Sequence, residues 1–142
     1  MKSRPIVMEH LKIVHTSFIV NFSFTNNVTI LTGAAGAGKS MVFSFIREHA
    51  AINEQLACIN HLNYEEDIIN IITNAEGKMI VIDNADILLS DDIRKQISLD
   101  GKNQYLIIGR NPKNLFATRE NLFELINEKH GEQTEFRMKS CL

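Results

Sequence analysis

The sequence predicts an α/β fold built on a mainly parallel central sheet, with an N-terminal antiparallel strand or hairpin. Three observations predict it. Two unbroken apolar runs, Met79-Ile80-Val81-Ile82 and Tyr105-Leu106-Ile107-Ile108, suit short parallel strands buried on both faces. Segments with helical periodicity alternate with such runs along the chain. Ahead of them lies a period-two stretch, in which Phe18, Val20, Phe22 and Phe24 share one side and Asn21, Ser23 and Thr25 the other.

The elements follow in order. Leu11 to Val14 is the expected hairpin partner of the Phe18–Thr25 strand. Asn26-Asn27 turns the chain into Val28-Thr29-Ile30-Leu31-Thr32, a second β-rich run. A loop rich in Gly and Ala leads into a helix from about Lys39 to Ala51, and Ala57-Cys58-Ile59 reads as a short strand. The next helix is expected to be capped by Asn63 and closed by Gly77. Glu65, Glu66 and Asp67 suit its positive end, and Ile68, Ile71, Ile72 and Ala75 line its apolar face. Ser90 with Asp91 and Asp92 starts another helix, which Gly101 ends. Pro112 breaks the chain after the second buried run. Leu122–Asn127 and Thr134–Met138 fit strands around a His130-Gly131 turn; a helix over Asn121 to Lys129 fits the same residues.

Bulk properties exclude several classes. With 142 residues, 44% hydrophobic and 23% charged, the chain reads as one globular domain. At this size roughly 70% of the unfolded surface can be buried, so no disulfide or metal is needed for a core. A net charge of −2 gives no reason to expect nucleic acid as the main ligand. Cys58 and Cys141 lack metal spacing and read as free thiols of a reducing compartment. The five histidines show no ligand spacing either. No apolar run is long enough to span a membrane and no secretory leader is visible, so the cytoplasm is the default.

Chemistry concentrates in Gly33-Ala34-Ala35-Gly36-Ala37-Gly38-Lys39-Ser40, which fits G-x-x-x-x-G-K-[ST] between a strand and a helix. A loop that wraps a polyphosphate with backbone N–H groups needs small side chains, and the following helix aims its amides and positive end at the anion. Lys39 supplies a cation for phosphate oxygens and Ser40 a hydroxyl for Mg²⁺. Met41, next in the helix, belongs to the same nucleotide-binding set. Asp83 ends a buried strand, and a parallel sheet carries it to the same edge as the loop. There it would accept a hydrogen bond from a magnesium-bound water. Otherwise an Asp in this place is a turn residue.

These residues resemble the Walker A and Walker B motifs of the additional-strand (ASCE) division of P-loop ATPases, over about Phe18 to Arg110. The resemblance implies a three-layer P-loop NTPase fold that binds ATP and Mg²⁺. Val81-Ile82-Asp83-Asn84-Ala85-Asp86 with Leu106-Ile107-Ile108-Gly109-Arg110 looks most like the signal-transduction (STAND) ATPases. The strands before the loop look more like ABC-type nucleotide-binding domains. By the same resemblance, Arg110 sits where related ATPases sense the γ-phosphate. Two departures matter. Asn84 stands where ABC-type and AAA+ proteins place a water-polarising glutamate, and an amide can hold a water but cannot take its proton. Asp86 is the nearest substitute carboxylate. The ABC signature Leu-Ser-Gly-Gly-Gln is missing.

The resulting expectation is an ATP-dependent switch or slow ATPase that works with a protein partner, with self-assembly as a further option. A catalytically silent interaction protein on the same scaffold is the alternative. A small-molecule or nucleotide kinase fits less well, since only Arg47 falls between Ser40 and Asp83. A GTPase lacks its N-K-x-D reader, because the segment reads Arg110-Asn111-Pro112-Lys113-Asn114.

Overall fold

A computed structural model describes residues 4–34, 36–60, 62–112, 115 and 117–141. The chain is α/β. Its elements run β1 (His10–Val14), β2 (Phe18–Ser23), β3 (Val28–Thr32), α1 (Lys39–Ala50), β4 (Leu56–Ile59), α2 (Glu65–Asn74), β5 (Met79–Ile82), α3 (Ala85–Leu88), α4 (Asp91–Leu99), β6 (Gln104–Ile108), β7 (Leu122–His130) and β8 (Gln133–Ser140).

One mixed eight-stranded sheet has the order β1-β2-β8-β7-β3-β6-β5-β4. It is strongly curled, toward a half-barrel. From β7 through β3, β6 and β5 to β4 every pairing is parallel. The β1–β2 and β7–β8 hairpins are antiparallel, and β2 pairs with β8 in parallel. The sheet is therefore more mixed than a parallel centre with an N-terminal hairpin, because a C-terminal hairpin joins the first hairpin to the parallel half.

Alternation along the parallel strands builds two apolar clusters. Leu31, Val81, Leu106 and Ile108 meet Val42, Phe43 and Ile46 of α1 on one face. Ile30, Ile80, Ile82 and Ile107 meet Ile68 and Ile72 of α2 and Ile93 and Ile97 of α4 on the other. Every residue of β5 and β6 is buried, as strands covered on both faces require. The first hairpin keeps one face inward: Val20 and Phe22 are fully buried and Ser23 is exposed.

The apolar pattern of the C-terminal segment resolves into two strands, β7 and β8, and not a helix. Two local expectations are corrected. Asn63 does not cap α2. Its Oδ1 accepts from the Asn60 amide at 3.1 Å, and Tyr64 holds the cap position without a side-chain bond. Gly77 does not close that helix, which ends at Asn74. With φ of +68° it turns the chain toward β5, and its amide donates to Lys102 O at 3.0 Å. Ser90 caps α4 as expected, its Oγ accepting from the Ile93 amide at 3.3 Å.

The strand ends opposite the site are tied by a polar network. Asn27 Nδ2 donates to Asn103 O at 2.8 Å, Asn103 Oδ1 accepts from the Lys78 amide, and Gln104 Oε1 accepts from the amides of Val7 and Met8. Tyr105 donates to Asp100 at 2.5 Å. Burial raises the Asp100 pKa, but bonds from Tyr105, Asn103 and the Lys102 amide outweigh it and hold the carboxyl below its ordinary value.

Thr29 differs. It is fully buried in β3, and its hydroxyl has no hydrogen-bond partner among the described residues. An unsatisfied buried hydroxyl costs about 1–3 kcal/mol, so Thr29→Val is expected to raise unfolding stability by roughly 1 kcal/mol in a urea titration. A lowered midpoint would mean that the hydroxyl is bonded.

Candidate functional site

The parallel strands end at one edge, and the chain changes direction across the sheet there. From β3 it travels through α1 to the far strand β4, then returns stepwise through β5 to β6, beside β3. From β6 it passes to β7 on the other side of β3. Open α/β sheets hold ligands outside the carboxyl ends of strands at such a reversal. A cleft of about 330 Å³ lies in this place. That volume is at the lower end of small-molecule sites.

Lys39, Ser40, Asp83, Asn84, Asp86 and Arg110 all line it. Residues from three separate chain segments are thus brought together because β3, β5 and β6 are parallel neighbours. Ile87, Ile108 and Gly109 also line the cleft, and the sequence reading did not single them out. Gly109, a glycine between a buried strand and Arg110, was the available signal.

The loop from β3 to α1 is shaped by glycine. Gly36 and Gly38 have φ of +83° and +106°, and Gly38 carries the chain into the first turn of α1, its carbonyl accepting from the Val42 amide at 2.8 Å. Ala37 N donates to Ala34 O at 3.0 Å within the loop. Ala35 lies outside the described residues. The C-terminal hairpin braces the loop from the side. Asn127 Nδ2 donates to Ala37 O at 3.3 Å, Leu125 packs beside Gly33, and the Phe136 ring abuts Gly38. Lys39 folds back across its own loop: Nζ donates to Gly33 O and, at 3.2 Å, to Ala34 O. The Ser40 residue is exposed at the start of α1, and its carbonyl accepts from Ser44 Oγ. Met41 is 53% exposed and is not among the cleft-lining residues.

Asp83 follows β5 and is 9% exposed, its amide donating to Ile59 O at 2.9 Å. Asn84 has φ of +53°, the left-handed region that Asn tolerates better than most side chains. It turns the chain directly into the short helix α3. Asp86 in α3 accepts three backbone bonds from the segment after β6: Arg110 N at 2.9 Å and 3.1 Å, and Asn111 N at 2.9 Å. The Arg110 amide is shared between the two oxygens, so two amides engage both oxygens of the carboxylate. A water at Asp86 would have to share oxygens already bonded to backbone amides. Arg110 is exposed at the cleft rim. Lys113 and Asn114, part of the segment that lacks a guanine-reading N-K-x-D, lie outside the described residues.

Away from the cleft, the hairpin places Glu128, His130 and Glu135 within reach of one metal ion, a grouping that sequence spacing hid because it forms across strands. Arg137 sits among them, 2.5 Å from Glu128 and 3.7 Å from Glu135. Asn21 also donates to Glu135 at 3.1 Å. The cluster is a partly exposed ion-pair network whose own cation competes with any metal. Both cysteines are free thiols. Burial pushes the Cys58 thiol up to about 11 while Arg47 pulls it down, so it is protonated at neutral pH. No helix among the described residues is long and apolar enough to cross a membrane. No family model matches the chain, and no curated protein matches its sequence.

Proposed function

We propose that this chain is a P-loop nucleotide-binding protein that takes Mg·ATP in the β3–β5–β6 cleft, as a slow ATPase or an ATP-dependent switch read by a protein partner. The observation that carries the reading is the convergence of Lys39, Ser40, Asp83, Asn84 and Arg110 on one cleft beside a glycine loop. The strand order supports it too. β6 stands between the strand that feeds the loop and the strand that ends in Asp83, the insertion for which the additional-strand division is named. Helices on both faces of the parallel half fit a three-layer P-loop fold.

The donor set fits the ligand. Consecutive small residues let a polyphosphate approach the loop backbone, where the Ala37 amide would exchange its bond to Ala34 O for a phosphate oxygen, and the 12-residue helix α1 directs its positive end at the loop. Lys39 would exchange the carbonyls of Gly33 and Ala34 for phosphate oxygens. The Ser40 hydroxyl and the Asp83 carboxylate are hard oxygen groups of the kind Mg²⁺ prefers, directly or through its waters. Bound Mg²⁺ supplies charge neutralisation on the phosphates. Asn84 can orient a water but cannot accept its proton, and Asp86 is occupied by backbone amides. Turnover by the isolated chain is therefore slow. A finger supplied by a partner is worth about 10³–10⁵ in rate. The same two observations favour, as a second reading, a binding switch without turnover.

Magnesium linkage tests the proposal. Outer ligands of a metal site are worth roughly 10- to 100-fold in affinity or activity. Asp83→Asn is expected to weaken magnesium-supported ATP binding by about that much while metal-free nucleotide binding changes little. ATP affinity that is the same with Mg²⁺, with EDTA and in Asp83→Asn would remove Asp83 from the site. Phosphate release measured in parallel separates the slow ATPase from the silent switch.

A further inference from the structure

We propose that Asp86 is a positioning residue that fixes Arg110 relative to the Asp83–Asn84 turn, and that Gly109 is glycine to admit its carboxylate. The inference rests on the nucleotide reading of the cleft. Asp86 lies three residues after Asp83, and its oxygens hold the amides of Arg110 and Asn111 at 2.9–3.1 Å. Hydrogen bonds to an ionised acceptor are about twice as strong as neutral ones. Two successive amides converge on one side chain, the Arg110 amide shared between both oxygens, so the chain leaving β6 is seated on the chain leaving β5.

Gly109 shows how closely the two segments approach. A Cβ there would stand 2.3 Å from Asp86 Oδ1 and 2.7 Å from Leu115 Cδ1. Both are far inside contact distance, and the bonds from the Arg110 and Asn111 amides hold the Asp86 carboxylate in that place. Any side chain at Gly109 therefore displaces the carboxylate or the β6 end. Arg110 follows immediately, and its side chain reaches the cleft from a Cα whose position Asp86 sets. A change at the Asp83–Asn84 turn is passed to Arg110 through this latch, and a pull on Arg110 is passed back. Direct action of Asp86 on a water is the competing assignment, in which the water would share oxygens that the two amides already engage.

The test compares Mg·ATP with Mg·ADP, because only ATP carries the γ-phosphate that Arg110 would meet. Asp86→Ala is expected to weaken Mg·ATP binding by roughly 10-fold or more and Mg·ADP binding by less than about 2-fold, the loss of one charge-assisted contact. Arg110→Ala gives the same pattern, and the double variant is no worse than Arg110→Ala alone, since the two act through one contact. Asp86→Asn keeps one acceptor oxygen and falls between wild type and Asp86→Ala, which keeps the test usable if the alanine variant folds poorly. Gly109→Ala reproduces the ATP-selective loss. A merely structural Asp86 would lower thermal stability and leave the ATP-to-ADP affinity ratio unchanged; that outcome, or additive losses in the double variant, overturns the inference while the nucleotide site stands. Wild type that binds neither nucleotide overturns the site reading and the inference with it.

Discussion

Gly38→Ala is expected to destabilise the fold by roughly 2–4 kcal/mol and to distort the loop ahead of α1. Two separate costs meet at this residue. Its φ of +106° lies beyond the left-handed region that L residues tolerate, so a Cβ strains the backbone by about 1–3 kcal/mol. The same Cβ would sit 2.7 Å from Phe136 Cε1. Phe136 is 4% exposed and packs near Phe45 of α1, with ring centroids 6.2 Å apart, so the ring has little room to retreat. Neighbouring glycines give the controls. At Gly36, φ is +83° but nothing lies within 4 Å of an added Cβ, so Gly36→Ala costs only the strain. At Gly33 no positive φ is required, and the nearest neighbours are at 3.5–3.7 Å, ordinary contact. Urea unfolding should therefore rank the alanine variants Gly38 worst, Gly36 intermediate and Gly33 closest to wild type. Equal stabilities for Gly38→Ala and Gly33→Ala would contradict the loop geometry.

Lys39→Ala is expected to abolish useful nucleotide binding while leaving the fold intact. Lys39 is the cation of the loop, half-buried at the start of α1 and lining the cleft. Removing one partner of a desolvated charge pair costs about 2–4 kcal/mol of binding energy, which is roughly 30- to 1000-fold in Kd. The side chain's bonds to Gly33 O and Ala34 O are local to the loop. Their loss should change unfolding stability by no more than about 1 kcal/mol. Binding and stability should thus separate cleanly in this variant, in contrast to Gly38→Ala, where both fail together.

How far the sequence can be read depends on how local each determinant is. The β5 and β6 runs were legible because a short strand covered on both faces carries apolar residues in succession, here four in each, over a length too short for a helix. The first hairpin was legible from period-two alternation. The segment from Leu122 to Lys129 was not, because Leu122, Leu125 and Ile126 satisfy a helical period while Phe123 and Leu125 satisfy a strand period. What decides is a partner distant in sequence: β7 hydrogen-bonds to β3 on one side and to β8 on the other. Asn63 had the right chemistry for a cap, but its side chain is spent on the preceding turn at Asn60.

The same distinction holds at the site. Strand ends that share direction share an edge, so Asp83 could be placed beside Lys39 and Ser40 from the strand pattern, while the place of Arg110 came from the resemblance to related ATPases. The engagement of Asp86 could not, because its partners are the amides of residues 24 and 25 positions later. Nor could the need for glycine at position 109, which arises only from that carboxylate's position. The bracing of the loop by Asn127 and Phe136 likewise required the C-terminal hairpin to be seated against β3.

Calorimetric titration of Mg·ATP into wild type and Lys39→Ala, both shown to be folded, tests the central claim most directly. Saturable one-site binding to wild type, weakened at least about 30-fold in Lys39→Ala, is the predicted result. No heat of binding to folded wild type, or equal affinity in the two proteins, would contradict the assignment of the Gly33–Ser40 loop as a triphosphate site.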